Sequence, residues 1–239
     1  MYKYEMHSHT KIGSGCGVFS PEEIVDYFVE RGYAGICVTE HFFNGNCAID
    51  KNLPWRERVK GYCGAYEQVK AIGDKKGLDV FFGFEYTCNN GATRDSNFGS
   101  DFLIYGLDKN WLLGKDESIL SLPVNDFMKM VRDEGGFVVQ AHPFRLERSY
   151  MSHISLFPLY TDAVEIYNSN PNTMGIANNL AVAYANEYGF YKTCGSDIHG
   201  PGRKQLCVLI LEKRAKTISD IIDCIKDGSA KCVIEDNTK

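Results

Sequence analysis

Short apolar runs alternate with amphipathic stretches along the whole sequence, and this alternation confines the chain to an α/β fold. Residues 2–7, 34–39, 80–86, 102–107, 137–140, 164–167, 191–195, 207–211 and 232–234 read as strands. Between them the apolar positions fall into helical spacing. The clearest case is 55–76, where Val59, Tyr62, Cys63, Tyr66, Val69 and Ile72 recur at intervals of three and four. The first helix carries its own boundaries. Ser20 is placed to cap it, Pro21 to open it, Glu23 to close a capping box and Gly32 to stop it. Further helices are expected around Phe127, Met130 and Val131, over 177–188 and over 218–225. The chain shows no repeat, low-complexity tract or linker, so residues 1–239 are expected to form one barrel-like domain.

The polar residues that interrupt this pattern fall at strand ends. His7 and His9 close the first strand, His41 follows the second and Glu85 ends the third. His142 follows the fifth, and Asp197 and His199 follow the strand at 191–195. In parallel α/β barrels the chemistry gathers where strands end, so these side chains should converge. Only His153 stands apart, in an aromatic loop over 143–160. A lone histidine after a strand is most often a surface or hydrogen-bonded residue. Five of them with two matching acids are a different matter, because burying so many polar groups without a cation is costly. The two histidines of His7-Ser8-His9 share one face of an extended segment. Imidazoles with carboxylates suit zinc, manganese or iron rather than calcium. Glu85 is expected to bridge two cations.

Taken in order, His7-Ser-His9-Thr10, Thr39-Glu40-His41, Gly83-Phe84-Glu85, Ala141-His142-Pro143 and Gly195-Ser196-Asp197-Ile198-His199 resemble the motifs of the polymerase-and-histidinol-phosphatase (PHP) family. Any one motif is weak; the ordered set spans nearly the whole chain. The resemblance implies a distorted seven-stranded, TIM-like β/α barrel holding divalent metal ions and hydrolysing phosphate esters. It places His7, His9, Glu85 and Asp197 on a first metal. Glu85 and His142 would share a second, and His41 and His199 would hold a third. The sequence departs from the family pattern at three points. Glu40 stands where an aspartate is usual. Asp101 is the nearest match to a histidine ligand on the fourth strand. The loop Ile12-Gly13-Ser14-Gly15-Cys16-Gly17 offers only Cys16 as a side-chain ligand. About two or three ions are therefore expected.

The expected activity is hydrolysis of a small phosphate monoester, a phosphorylated metabolite or nucleotide, by metal-bound hydroxide. Asp197 is the candidate catalytic group, and Arg145 and Arg203 are the candidates to grip phosphate oxygens. Three other readings are a nuclease, a non-catalytic metal-stabilised domain that binds a partner, and a metal-dependent amidohydrolase. The last fits the Glu85 motif poorly. A formal charge of −5 argues against a nucleic-acid surface. Nine cysteines without a Cys-x-x-Cys pair read as reduced thiols. No apolar run approaches a membrane span, and the polar first residues are unlike a signal peptide, so a cytoplasmic protein is expected.

Overall fold

The computed structural model describes residues 1–88, 99–147 and 154–237. Part of the aromatic loop over 143–160, His153 included, thus lies outside the described residues. Nine strands form one sheet: β1 (Tyr2–Ser8), β2 (Gly35–Val38), β3 (Asp79–Cys88), β4 (Ser100–Tyr105), β5 (Phe137–Gln140), β6 (Ala163–Asn168), β7 (Tyr191–Gly195), β8 (Gln205–Leu211) and β9 (Lys231–Asp236). Their order is β7-β6-β5-β4-β3-β2-β1-β8-β9. The two ends of the β1–β7 run approach one another just beyond β7. There Ile198 donates to the His7 carbonyl at 3.1 Å, and His9 donates to the Ile198 carbonyl at 3.0 Å. These bonds nearly close a seven-stranded ring. The distortion comes from β8, which pairs antiparallel with the first half of β1 and carries β9 on its other edge.

The ring is not wholly parallel. β4 runs antiparallel to both β3 and β5. This reverses the strand-end rule at one position, since the start of β4 lies beside the end of β3, with Asp101 opposite Thr87. Glu85 lies opposite Leu103, and directly opposed residues share a face, so the carboxylate stands above the apolar filling of the barrel. That filling includes Tyr4, Met6, Leu103, Tyr105 and Val139, with Ile221 and Ile225 of α6 (Ile218–Lys226) packed against it.

Helices α1 (Pro21–Glu30) and α2 (Trp55–Lys76) lie against each other and the sheet through Ile24, Phe28, Val69 and Val38. The expected capping box is present: the Ser20 hydroxyl accepts from the Glu23 amide, and Glu23 accepts from the Ser20 amide. Gly77, at φ 78°, ends α2 in a left-handed turn that a side chain would strain. Two short elements have no counterpart in the sequence reading. They are α3 (Lys109–Leu113) and a 3₁₀ turn (Glu117–Ser121), each started by an aspartate, Asp108 or Asp116, that caps it. They are followed by α4 (Val124–Asp133), and α5 (Ile176–Tyr188) covers β6 through Ala181, Tyr184 and Ala185.

Candidate metal centre

The strand ends bring together all eight residues expected as ligands. Glu85 is the hub. Its Oε1 lies 3.3 Å from His7 Nε2 and 3.3 Å from His142 Nε2. Its Oε2 lies 3.4 Å from His9 Nε2 and 2.7 Å from His41 Nδ1. Asp197 Oδ1 lies 3.5 Å from each of His7 Nε2, His9 Nε2 and His199 Nδ1. Asp101, carried in by the reversed β4, places Oδ2 3.8 Å from His142 Nε2. Cys16 reaches the outer edge, with Sγ 3.2 Å from His41 Nε2. His142 and Asp197 are also the only described non-glycine residues with positive φ, at 28° and 51°. Such backbone is costly and here aims two side chains at one place.

Burial makes the arrangement hard to explain without a cation. His7, His9, Glu85, His142 and Asp197 are almost fully buried. Yet His7 Nε2, His9 Nε2, His41 Nδ1 and Glu85 Oε2 make no hydrogen bond. A buried polar atom left unpaired costs about 1–3 kcal/mol. Two ligands of a tetrahedral ion at bond lengths of about 2.0–2.1 Å stand about 3.3 Å apart. The 3.3–3.5 Å separations among His7, His9, Glu85 and Asp197 match that spacing. The donor set of imidazoles and carboxylates fits a divalent transition metal. Among the described residues, His7–His9–Glu85, Glu85–Asp101–His142 and His9–His41–His199 each form a group compact enough to hold one ion.

A second layer prepares the imidazoles. His7 Nδ1 donates to Glu165 at 2.9 Å, and His199 Nδ1 donates to the Asp197 carbonyl at 3.0 Å. The Ser14 hydroxyl gives its one proton to Glu40 at 2.6 Å, and so accepts from His9 Nδ1 at 3.0 Å and the His41 amide at 2.9 Å. The Nδ1 partner of each of these three rings leaves Nε2 as the nitrogen free to ligate a metal once it carries no proton. Glu40 also takes the Thr10 amide and hydroxyl. It is a clamp for the 10–17 loop. A side chain on Gly13 would stand 2.3 Å from its Cδ, so the placement of Glu40 requires glycine at 13.

Sequence reasoning missed Glu165 and Ser14. Glu165 carried a visible signal, an acid between Val164 and Ile166 in a buried strand. It also accepts the His142 amide at 2.9 Å, tying two neighbouring strand ends together. Ser14 carried none, because a serine in a glycine-rich loop is ordinary.

The electrostatics follow from this crowding. Burial alone would raise the Glu85 and Asp197 carboxyls. His41 and His7 beside Glu85, and His7 and His199 beside Asp197, instead hold both well below the usual range. Burial, together with His199 and His41, drives the His9 imidazolium out. Burial also acts to raise the Cys16 thiol, but His199 and His41 bring it down to about 6. Glu40 is pushed up to about 7 by its burial, against the bonds from Ser14 and Thr10.

Both arginines line the same cleft, a cavity of about 600 Å³. Neither stands as a free clamp. Arg145 already donates to Asp197 Oδ2 at 3.1 Å and to Glu147 at 2.9 Å. Arg203 donates to the Asp197 carbonyl at 2.9 Å. All nine cysteines are free thiols, and among the described residues no helix is long and apolar enough to cross a membrane.

No protein-family model matches the sequence, and no curated protein matches it. Solved structures do match. The chain is similar to a two-domain protein of Bacteroides vulgatus containing a predicted PHP-like metal-dependent phosphoesterase, with a TM-score of 0.67 at 15% identity. The match covers 97% of this chain and 64% of that one, so the chain spans less than two thirds of that protein's length. A protein of Bifidobacterium adolescentis assigned as a metal-dependent phosphoesterase matches at a TM-score of 0.54 and 13% identity, covering 92% of this chain and 94% of that one. An amidohydrolase of Chromobacterium violaceum, solved with sulfate and without metal, matches at 0.56 and 14%, covering 98% and 97%. The chain thus has the distorted barrel fold of PHP-like proteins.

Proposed function

We propose that this barrel is a metal-dependent hydrolase of small phosphate monoesters, with residues 1–239 acting as one unit. The observation that carries the reading is the set of four buried ligand atoms without a hydrogen bond at His7, His9, His41 and Glu85, of which His41 Nδ1 and Glu85 Oε2 stand 2.7 Å apart. A cation would satisfy them, and His41 and Glu85 among them line a cleft that also presents two arginines. His7, His9, Glu85 and Asp197 would hold one ion, Glu85, Asp101 and His142 a second, and His41, His199 and Cys16 a third. When bound, divalent ions would supply Lewis acidity, acidifying water and neutralising charge on a phosphoryl group.

The remaining work falls to the chain. Asp197 keeps its carboxylate ionised and turns Oδ1 toward the ligand histidines, while Arg145 holds Oδ2. It is the group to receive the proton of the attacking water. Overall, the water oxygen forms the new P–O bond and the ester P–O bond breaks. The leaving oxygen takes a proton, giving an alcohol and inorganic phosphate. Arg203, anchored on the Asp197 carbonyl, points a charged donor into the cleft for a phosphate oxygen.

The test is a panel of phosphomonoesters, phosphodiesters and amides offered to metal-loaded wild type and Asp197→Asn. The reading expects phosphate release from monoesters by wild type, and at least a hundredfold loss in a variant that remains folded. Turnover of amides or diesters alone would replace it with an amidohydrolase or a nuclease.

A further inference from the structure

A second cavity, of about 660 Å³, adjoins the cleft and shares two wall residues with it, His199 and Arg203. Its chemistry is different. Val18, Pro171, Met174 and Pro201 give its wall an apolar part, and among the described lining residues there is no carboxylate. Its charged groups are Arg203 and Lys204, both cationic. Val18 shows 61% of its surface to water, an exposed apolar side chain beside a charged site.

The wall is held in place. The Val18 amide donates to the His199 carbonyl at 2.7 Å, fixing that side chain to the segment that bears a candidate ligand. A Cβ on Gly200 would stand 3.1 Å from Val18 Cβ, so glycine there lets the two segments approach. The Arg203 carbonyl accepts from Asn237 Nδ2 at 2.6 Å, and its guanidinium is bonded to Asp197. The Ser169 hydroxyl is turned away onto the Ser196 carbonyl at 2.9 Å.

We propose that this cavity receives the organic part of the substrate, and that this part is an aromatic or aliphatic body rather than a small polyol. The inference rests on the phosphoesterase reading and names its substrate class. A phosphate among the metals and Arg203 leaves the ester oxygen at the His199–Arg203 ridge, with the carbon skeleton beyond it. The cavity is of the size that encloses drug-sized ligands. Burying apolar carbon against Val18 and Met174 then favours bulky monoesters, and the absence of acids in the wall admits a further negative charge.

The experiment is calorimetric titration of the metal-loaded protein with inorganic phosphate, methylphosphonate and 1-naphthylmethylphosphonate. Wild type, Val18→Asp and Met174→Ala are compared. The naphthyl compound should bind wild type at least tenfold more tightly than the methyl compound. That ratio should fall toward one in Val18→Asp, whose site is exposed enough to accept the charge without unfolding, and should narrow in Met174→Ala. A wild-type ratio near one, or an undiminished ratio in Val18→Asp, overturns the proposal while phosphate binding leaves the phosphoesterase reading standing. If none of the three compounds binds, both fall together.

Discussion

At the scale of single residues the site depends on which atom does two things at once. Glu85 is within ligand distance of four imidazoles, two on each oxygen. Glu85→Ala should therefore lose more metal, by plasma emission analysis, than any single His→Ala variant; equal losses would show that the carboxylate does not bridge. Ser14 touches no ion in this account, yet its hydroxyl sets the proton of His9 and steadies the His41 amide. Ser14→Ala should weaken metal binding about 10–100-fold in a chelator competition, as loss of such outer partners typically does. Ser14→Thr, which keeps the hydroxyl, should rescue most of it. Cys16 offers a pH readout. With its thiol brought down to about 6, the thiolate is present below neutrality and gains nothing more above it. Alkylation of Cys16 in the chelated protein should rise through pH 6 and level off near neutrality. An unperturbed thiol would still be accelerating at pH 8, and reloaded metal should block the reaction. The convergence of the candidate ligands was legible because histidines and acids at strand ends are rare and had one shared explanation. Ser14 and Glu165 were not, since they acquire meaning only when residues 5 and 158 positions apart meet.

At the scale of elements, sequence periodicity found the nine strands of the described residues because most of them are buried apolar runs, β9 being only half-buried and β7 buried in its second half. It could not give their directions. The reversal of β4 is what lets Asp101, at the start of a strand, face His142 after β5. A strict parallel reading would have put residue 101 at the far end of the barrel. The short elements α3 and the 3₁₀ turn escaped notice because they rest on single aspartate caps and too few residues to show a period. Closure of the ring, by contrast, depends on a glycine. A side chain at Gly195, the last residue of β7, would stand 2.4 Å from His7 Cβ and 2.9 Å from the His7 amide. Since backbone cannot yield easily, Gly195→Ala should push β7 from β1, at a cost of about 1–3 kcal/mol. A lowered denaturation midpoint together with reduced metal content is the expected pair of results. A loss of stability with full metal content would mean that the closure and the site are independent.

At the scale of the whole molecule, the barrel is a scaffold that gathers charged groups at one rim and keeps them dry. Its apolar filling lies beneath them, plugged by α6, and the candidate ligand histidines and carboxylates sit above at strand ends. A rim so rich in unpaired buried donors is stable only if something supplies the missing interactions, and a divalent ion does so for several at once. Chelation should therefore lower thermal stability as well as activity. The most direct measurement follows phosphate released from a monoester while metal is returned, in counted equivalents, to the chelated protein. No turnover is expected without metal, and a rise that saturates at about two or three ions per chain. Turnover by the chelated protein equal to that of the reloaded one would contradict it.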